Sequence, residues 1–331
     1  MAIVGVIGGG QLGRMLALAG IPLGLSFRFL DPNADAPAGE VGELLVGAYD
    51  DPVLLDLLAA GADAVTYEFE NVPVEGARRV GAIPEAAALE VAQDRLREKQ
   101  SFRKLGIRTA KIDEEVEHYP ALLKSRFLGY DGKGQRLVET WPGTVPGHVL
   151  EERVEFDREL SLIAVRGRDG DTRFWPLVEN VHDGGILRTS RAPALAAPQA
   201  EAEEYARRLL DELAYVGVLA LELFDVGGSL VANEFAPRVH NTGHWTIEGS
   251  ATSQFENHLR AILGWPLGPT ESRRSVLVNL IGSAPRPEDV LAIPGAHLHL
   301  YGKEPRPGRK LGHVTLVEPT QTSEGALLAL L

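Results

Sequence analysis

The sequence predicts an α/β protein in three parts: an open parallel sheet, a small lid, and a larger unit of helices packed on an antiparallel sheet. Three observations predict it. Residues 2–7 form an apolar run rich in β-branched side chains that leads directly into Gly8-Gly9-Gly10-Gln11-Leu12-Gly13 and then into a helical pattern over 14–19. That order is strand, tight turn, helix. Strand-like and helical runs go on alternating to residue 71, as parallel sheets with crossover helices require. Farther on, apolar runs at 218–224 and 230–233 flank Asp225-Val226-Gly227-Gly228-Ser229, a hairpin turn between antiparallel strands.

Taken in order, the strand at 25–30 ends in Asp31-Pro32-Asn33, a Leu-rich helix covers 52–60, and the strand at 64–67 ends in Glu68-Phe69-Glu70-Asn71. Ligands of open parallel sheets sit beyond the carboxyl ends of the strands, so the Gly cluster, Asp31 and residues 68–71 are expected to converge on one cleft. Residues 85–105 read as a single charged, Ala- and Leu-rich helix closed by Gly106. A polar segment over 113–118 precedes a strand at 121–124, which feeds a second Gly-rich stretch, Gly129-Tyr130-Asp131-Gly132-Lys133-Gly134. Residues 141–147, with two Pro and two Gly, form a turn; 149–154, 161–165 and 174–178 read as antiparallel strands, and 201–214 as a helix. The resulting division is 1–92 for the parallel-sheet domain, 93–266 for the central domain with its lid at about 108–154, and 267–331 for a small C-terminal subdomain.

Composition narrows the function. The 331 residues are 44% hydrophobic and 24% charged, enough apolar material for a sizeable core. Thirty-three Lys and Arg against 46 Asp and Glu give a net charge of −13, which disfavours a broad grip on nucleic acid or anionic lipid. Anionic substrates therefore need local cationic pockets. The absence of Cys excludes disulfides, thiolate metal sites and Cys nucleophiles, so any metal must take O or N ligands. The apolar start lacks a basic leader and is interrupted by the Gly cluster, Gln11 and Arg14, and no run is long enough to span a membrane. The chain reads as cytoplasmic.

Gly8-x-Gly10-x-x-Gly13 with Asp31 after the next strand fits the spacing of a dinucleotide fingerprint, in which backbone amides and a helix N-terminus face a phosphate. By itself it fits NAD, another phosphate or ribose ligand, or a structural turn. The second Gly-rich stretch carries Lys133 and follows Lys124 and Arg126, which suits a polyphosphate or a solvated hairpin loop; no Ser or Thr follows the Lys, as a Walker loop requires.

The strongest signal is a pair of carboxylates. Pairing about the Gly227-Gly228 turn sets Glu222 opposite Glu234 on one face, roughly 5 Å apart at Cβ. Two ionised carboxylates at that separation repel unless a cation lies between them, and Mg²⁺ takes such oxygen ligands while bridging to nucleotide phosphates. The alternative, two edge glutamates facing water, is opposed by their apolar neighbours. Immediately downstream, Arg238, His240, Asn241 and His244 form a dense cluster suited to an oxyanion or carbonyl and to proton transfer near neutral pH. In a third cluster, Lys303, Arg306, Arg309 and Lys310 lie in a Pro- and Gly-rich loop, as a solvated basic turn or a phosphate clamp.

These pieces together resemble the ATP-grasp carboxylate–amine ligases, and within them the branch that carboxylates 5-aminoimidazole ribonucleotide in purine biosynthesis. The resemblance rests on Gly8-Gly9-Gly10-Gln11-Leu12-Gly13-Arg14-Met15, Glu68-Phe69-Glu70-Asn71-Val72, Tyr130-Asp131-Gly132-Lys133-Gly134-Gln135, Gly185-Ile186-Leu187-Arg188-Thr189-Ser190, residues 233–245, and Arg306-Pro307-Gly308-Arg309-Lys310. It implies an ATP-grasp fold and the substrates ATP, bicarbonate and 5-aminoimidazole ribonucleotide, with carboxyphosphate as the activated intermediate, Mg²⁺ as cofactor and a homodimer. Glu222 and Glu234 are then the Mg²⁺ ligands, with Asn233 beside them. ATP falls to Arg95, Lys124, the loop Gly129, Gly132, Lys133 and Gly134, to Glu151, Glu152 and Val154, and to Glu159 and His182. Tyr130 and Asp131 touch the aminoimidazole side, while Arg238, His240 and Asn241 serve the bicarbonate or carbamate. Lys303 and Arg309 hold the ribonucleotide phosphate, with Gln11, Leu12 and Glu68 as the wall of that pocket. Leu128 stands where the family usually has Gly, which should stiffen the loop over ATP. The stretch from Gly106 to Lys124 is short for the family and the chain stops soon after the basic loop, so a trimmed lid and a reduced terminal helix are expected.

Overall fold

The computed structural model describes residues 2–129 and 134–331; the expectations placed on Tyr130, Asp131, Gly132 and Lys133 lie outside the described residues. The chain opens with β1 (Ile3–Ile7), α1 (Gln11–Gly20), β2 (Ser26–Asp31), β3 (Glu43–Val46), α2 (Pro52–Ala59), β4 (Ala64–Tyr67) and α3 (Val74–Arg79). The four strands form a parallel sheet in the order β3-β2-β1-β4. Strands β1, inside the sheet, and β4, at its edge, are almost wholly buried, which explains their continuous apolar runs. The edge strand β3 and the six-residue α3 have no such run and were not legible in the sequence.

The single helix expected over 85–105 is two, α4 (Ala86–Ala92) and α5 (Arg95–Lys104). Asp94 breaks the pattern: its carboxylate accepts from the Leu96 and Arg97 amides at 3.1 and 3.5 Å and starts α5 as an N-cap. The lid is the antiparallel sheet β5 (Ala121–Ser125), β6 (Gln135–Val138) and β7 (His148–Glu151), with β5 central. Its core is small: Val116, Ala121, Leu123, Val138 and Leu150. β7 stops at Glu151 rather than running to residue 154.

The largest sheet has nine strands. It contains β8 (Arg158–Arg166), β9 (Thr172–Phe174), β10 (Val178–Asp183), β11 (Ile186–Ala192), then, after α6 (Gln199–Glu212), β12 (Gly217–Val226) and β13 (Ser229–Ala236). The run at 174–178 is therefore not one strand: Pro176, which has no N–H to give a ladder, separates β9 from β10. Two helices follow, α7 (Thr246–Gly249) and α8 (Gln254–Leu263), then β14 (Ser275–Ile281), α9 (Pro287–Leu291), β15 (Ala296–Leu300), β16 (Lys310–Val317) and α10 (Gln321–Leu328). The order is β13-β12-β8-β10-β11-β14-β16-β15, with β9 on β8.

Alternation along β8 and β12 buries both faces. Leu160, Leu162, Leu219 and Leu221 pack under α5 and α6, whereas Ile163, Val165, Val218 and Ala220 meet α8 together with Leu12, Met15 and Leu16 of α1. The first unit is thus docked on the large sheet through α1 and α8, leaving the ends of β1 and β4 facing the β12–β13 hairpin across a cleft. Among the described residues, no helix is long and apolar enough to cross a membrane.

Candidate active site

The β12–β13 hairpin builds the centre of the cleft. Its turn, Gly227-Gly228, takes φ of +60° and +82°, left-handed values that Gly adopts freely, and pairs Val226 with Ser229. That register runs as far as Leu223 opposite Ala232, and on its own would set Glu222 opposite Asn233. A bulge at Asn233 shifts the ladder by one residue, so Glu222 faces Glu234. The sequence expectation named the right pair, but a simple hairpin does not produce it.

Glu222 and Glu234 line one pocket with Glu70, Arg95, Arg238 and His240. Arg95 donates to Glu234 Oε2 at 3.1 Å, and His240 Nε2 lies 3.4 Å from Glu222 Oε1. Burial, and then the charge on Glu234, push the Glu222 carboxyl up to about 7. Beside them, Asn233 Oδ1 is buried without a hydrogen-bond partner. Two crowded carboxylates and an unengaged amide oxygen are an all-oxygen donor set that fits Mg²⁺, which typically takes one or two protein carboxylates and completes its shell with phosphates and water. Among the described residues no group of three or more acidic or imidazole side chains forms a cage by itself.

Arg238 makes an ion pair with Glu70, tying the end of β4 to the large sheet. Burial acts to raise the Glu70 carboxyl, but the adjacent guanidinium outweighs it and holds the group below its ordinary range. His240 is clamped through its backbone: Gln254 Oε1 accepts from His240 N at 2.9 Å and Gln254 Nε2 donates to His240 O at 2.6 Å. Its Nδ1 meets Thr242 Oγ1 at 2.9 Å, which leaves Nε2 to face Glu222. Burial and then the Arg238 charge push its pKa well below the usual value, so His240 is a neutral imidazole beside a fixed cation. Asn241 Nδ2 is buried and unpartnered.

The wall from the first unit corrects one expectation. The amides of Gly10, Leu12 and Gly13 all donate to the Glu68 carboxylate at 2.9, 3.1 and 3.1 Å, and Gly9 N donates to Asp31 Oδ2 at 2.8 Å. A Cβ on Gly10 would stand 2.6 Å from Glu68 Oε1. The helix N-terminus is an anion site, as expected, but the chain supplies its own anion. Asp31 also accepts from Tyr49 OH at 2.9 Å, so a dinucleotide at this turn would have to displace Glu68 from the amides and Tyr49 from Asp31. Gln11 instead accepts a hydrogen bond from Lys303 Nζ, closing the basic loop onto α1. Partial burial lowers Lys303 to about 8. Arg309 donates to the carbonyl of Glu304 at 3.1 Å within the same loop.

Most of the described residues expected to hold ATP line two clefts, while Gly134, Glu159 and His182 line neither of them. Arg95 and Gly129 join Glu234 in the first, and Arg95 also reaches the Gly129 carbonyl at 3.4 Å. Lys124, Glu151, Glu152 and Val154 line the second, floored by Phe156 and Phe224. Lys124 donates to Glu151 Oε1 at 2.5 Å. Although burial opposes it, the charges of Lys124 and Lys99 bring the Glu151 carboxyl down to about 2. Glu152 accepts from the Lys111 amide at 3.3 Å, and Gly134 O from the Ser125 amide at 2.7 Å. His182 bonds to Glu159, and that contact with the charge of Glu222 raises its pKa against the effect of burial. Leu128, 69% exposed, takes φ of +60°, a left-handed conformation costing a non-Gly residue about 1 kcal/mol.

Two residues of the site had no signature in the sequence. Glu98 and Lys99, in a helix that reads as solvated, are 2% and 1% exposed and point at the bulge. Glu70 was foreshadowed by its place at a strand end and by the run Glu68-Phe69-Glu70-Asn71-Val72, without a role of its own.

Three family models match in succession: the ribonucleotide synthetase preATP-grasp domain over residues 1–93, the ATP-grasp domain over 107–255 and the phosphoribosylaminoimidazole carboxylase C-terminal domain over 275–324. N5-carboxyaminoimidazole ribonucleotide synthase of Pseudomonas aeruginosa is 50% identical, over 95% of this chain and 94% of the relative. The crystal structure of N5-carboxyaminoimidazole ribonucleotide synthetase from Thermus thermophilus superposes with a TM-score of 0.93 at 54% identity, covering 99% of this chain and 98% of that one. The Aspergillus clavatus synthase in complex with ADP and 5-aminoimidazole ribonucleotide gives 0.89 at 32% identity, covering 99% and 97%. With its parallel-sheet unit, lid and nine-stranded sheet matched from end to end, the chain belongs to the N5-carboxyaminoimidazole ribonucleotide synthase family of ATP-grasp enzymes.

Proposed function

We infer that the protein is an ATP-dependent ligase that carboxylates 5-aminoimidazole ribonucleotide with bicarbonate, giving N5-carboxyaminoimidazole ribonucleotide, ADP and phosphate in purine biosynthesis. The observation that carries this reading is similarity to such synthases over essentially the whole chain, at 50% identity, converging on the cleft between Glu222, Glu234, Arg238 and His240.

A bicarbonate oxygen attacks the γ-phosphorus of ATP, the bond to the β-phosphate oxygen breaks, and carboxyphosphate forms as ADP leaves. The aminoimidazole amine then attacks the carboxyl carbon, directly or as CO₂ released in place, phosphate departs, and the amine loses one proton. Carboxyphosphate hydrolyses readily, so the site must hold both partners close and exclude water. Arg238, fixed by Glu70, supports the anionic bicarbonate and the developing carbamate. His240, neutral and oriented by Gln254, offers a hydrogen bond or takes the amine proton at Nε2. Glu222 and Glu234 with Asn233 would hold Mg²⁺, which when bound screens the phosphate charge during transfer. Lys124, Glu151, Glu152 and Val154 are assigned to ATP with Arg95, Gly129, Gly134, Glu159 and His182, and with Gly132 and Lys133 outside the described residues. Tyr130 and Asp131 remain assigned to the aminoimidazole side on the family resemblance. Lys303 and Arg309 take the ribonucleotide phosphate, beside Gln11, Leu12 and Glu68. The division at residues 92 and 266, a homodimer and a cytoplasmic location belong to the same proposal and rest on family membership.

The test is ADP release in the presence of bicarbonate. Stimulation by 5-aminoimidazole ribonucleotide is expected; release unchanged by it refutes the substrate assignment. Folded Glu234→Gln is expected to lose turnover, and retention of full activity would remove the metal assignment.

A further inference from the structure

A bulge takes a backbone carbonyl and an amide out of the ladder, and in a buried hairpin those groups need other partners. At the β13 bulge, both partners come from consecutive residues of α5. Lys99 Nζ donates to Asn233 O at 2.7 Å, and Glu98 Oε1 accepts from Phe235 N at 2.7 Å. One turn earlier on the same helix face, Arg95 reaches the Glu234 carboxylate itself at 3.1 Å. Lys99 and Glu98 therefore bracket Glu234 through its two neighbours in the chain.

The alternative to this arrangement is specific. Without the bulge, the register set by the Gly227-Gly228 turn continues, Asn233 comes opposite Glu222, and Glu234 turns to the other face of the sheet, because a one-residue slip inverts every side chain beyond it. We propose that Lys99 and Glu98 are positioning residues that hold the Asn233 bulge and thereby keep Glu234 beside Glu222. Lys99 does a second thing: its ammonium lies 3.4 Å from Glu151 Oε2, whose other oxygen holds Lys124. One buried cation thus joins the carboxylate pair to the second cleft.

The proposal rests on the reading of Glu222 and Glu234 as metal ligands, and the experiment separates the two. Mn²⁺ binding to the full chain with ADP present is measured by electron paramagnetic resonance of the free ion, with folding checked by thermal melting. Lys99→Met and Glu98→Met are expected to weaken Mn²⁺ binding 10- to 100-fold, the range found when a residue supporting a metal ligand is lost. Glu98→Gln, which keeps an acceptor for the Phe235 amide, is expected to stay within about threefold of wild type. Val290→Ala, a truncation in the separate core under β14 and β16, controls for loss of stability and is expected to leave Mn²⁺ binding unchanged. If Lys99→Met does not fold, Lys99→Gln is read by the same criterion. Folded Lys99 and Glu98→Met variants that bind Mn²⁺ like wild type overturn the proposal, as does an equal loss in Val290→Ala. Unchanged Mn²⁺ binding in Glu234→Gln would instead remove the ligand assignment beneath it.

Discussion

Replacing Asp94 tests how the lid is leashed to the central domain, because one carboxylate does two jobs there. It caps α5 through the Leu96 and Arg97 amides, and it takes both arms of Arg126 at 2.7 Å each. Arg126 follows β5 directly, and its carbonyl accepts from Arg95 N at 3.1 Å, so the contact ties the lid to the helix that carries Arg95. The cap is worth about 1 kcal/mol. The bidentate pair falls in the range of about 1.5–3 kcal/mol for hydrogen bonds between charged groups. Because the Arg126 side chain is 33% exposed and Asp94 only 6%, solvent screening brings the pair to the low end, about 1–1.5 kcal/mol. Asp94→Ala should therefore cost about 2–2.5 kcal/mol, whereas Asp94→Asn, an equally good cap, should cost only the pair, about 1–1.5 kcal/mol. Arg126→Gln should match Asp94→Asn, and the double variant should cost little more than either, since both remove the same contact. The assay is urea unfolding at neutral pH, with the KM for ATP measured in parallel; that KM should rise in all three single variants. Asp94→Asn as damaging as Asp94→Ala would refute the division between cap and ion pair, and additive Asp94 and Arg126 losses would refute the contact itself.

His258 is buried, accepts the Val218 amide at Nδ1, and is lowered to about 3. The folded state therefore excludes a proton that the unfolded chain takes up near pH 6.5, so its stabilising contribution falls by about 1.4 kcal/mol per pH unit as pH drops from 6.5 toward 3. His244, also lowered to about 3, acts in the same sense. Urea unfolding of His258→Gln between pH 7 and 5 should give a mean slope shallower by about 1 kcal/mol per unit, and an unchanged slope would count against the buried neutral imidazole. Lys303, at about 8, is cationic below that pH and neutral above it, so the KM for 5-aminoimidazole ribonucleotide should climb above pH 8 in wild type. Lys303→Met should show a high KM without that rise; an alkaline rise surviving in this variant would assign it elsewhere. Gly10→Ala forces a methyl against the Glu68 carboxylate and should destabilise the first unit by about 1–3 kcal/mol, read as a lower urea midpoint.

The alternation of strands and helices over the first 71 residues, the hairpin at Gly227-Gly228 and the Arg238–His240 cluster were legible because each is local: periodicity, turn residues and spacing set them. The family followed from motifs read in order along the chain. Other features depend on contacts between residues far apart. Glu68 fills the helix N-terminus that the Gly-rich turn seemed to offer a phosphate, across more than fifty residues of chain. The break at Asp94 was hidden in a run of good helix formers, and only Arg126, from the lid, reveals the second use of its carboxylate. Local patterning assigns residues to their strands and to either side of the hairpin turn. Whether Glu234 stands beside Glu222 or on the opposite face is settled by packing, because turn geometry alone favours the plain register, and the bulge that overrides it draws its hydrogen bonds from Lys99 and Glu98 on a helix over 130 residues away.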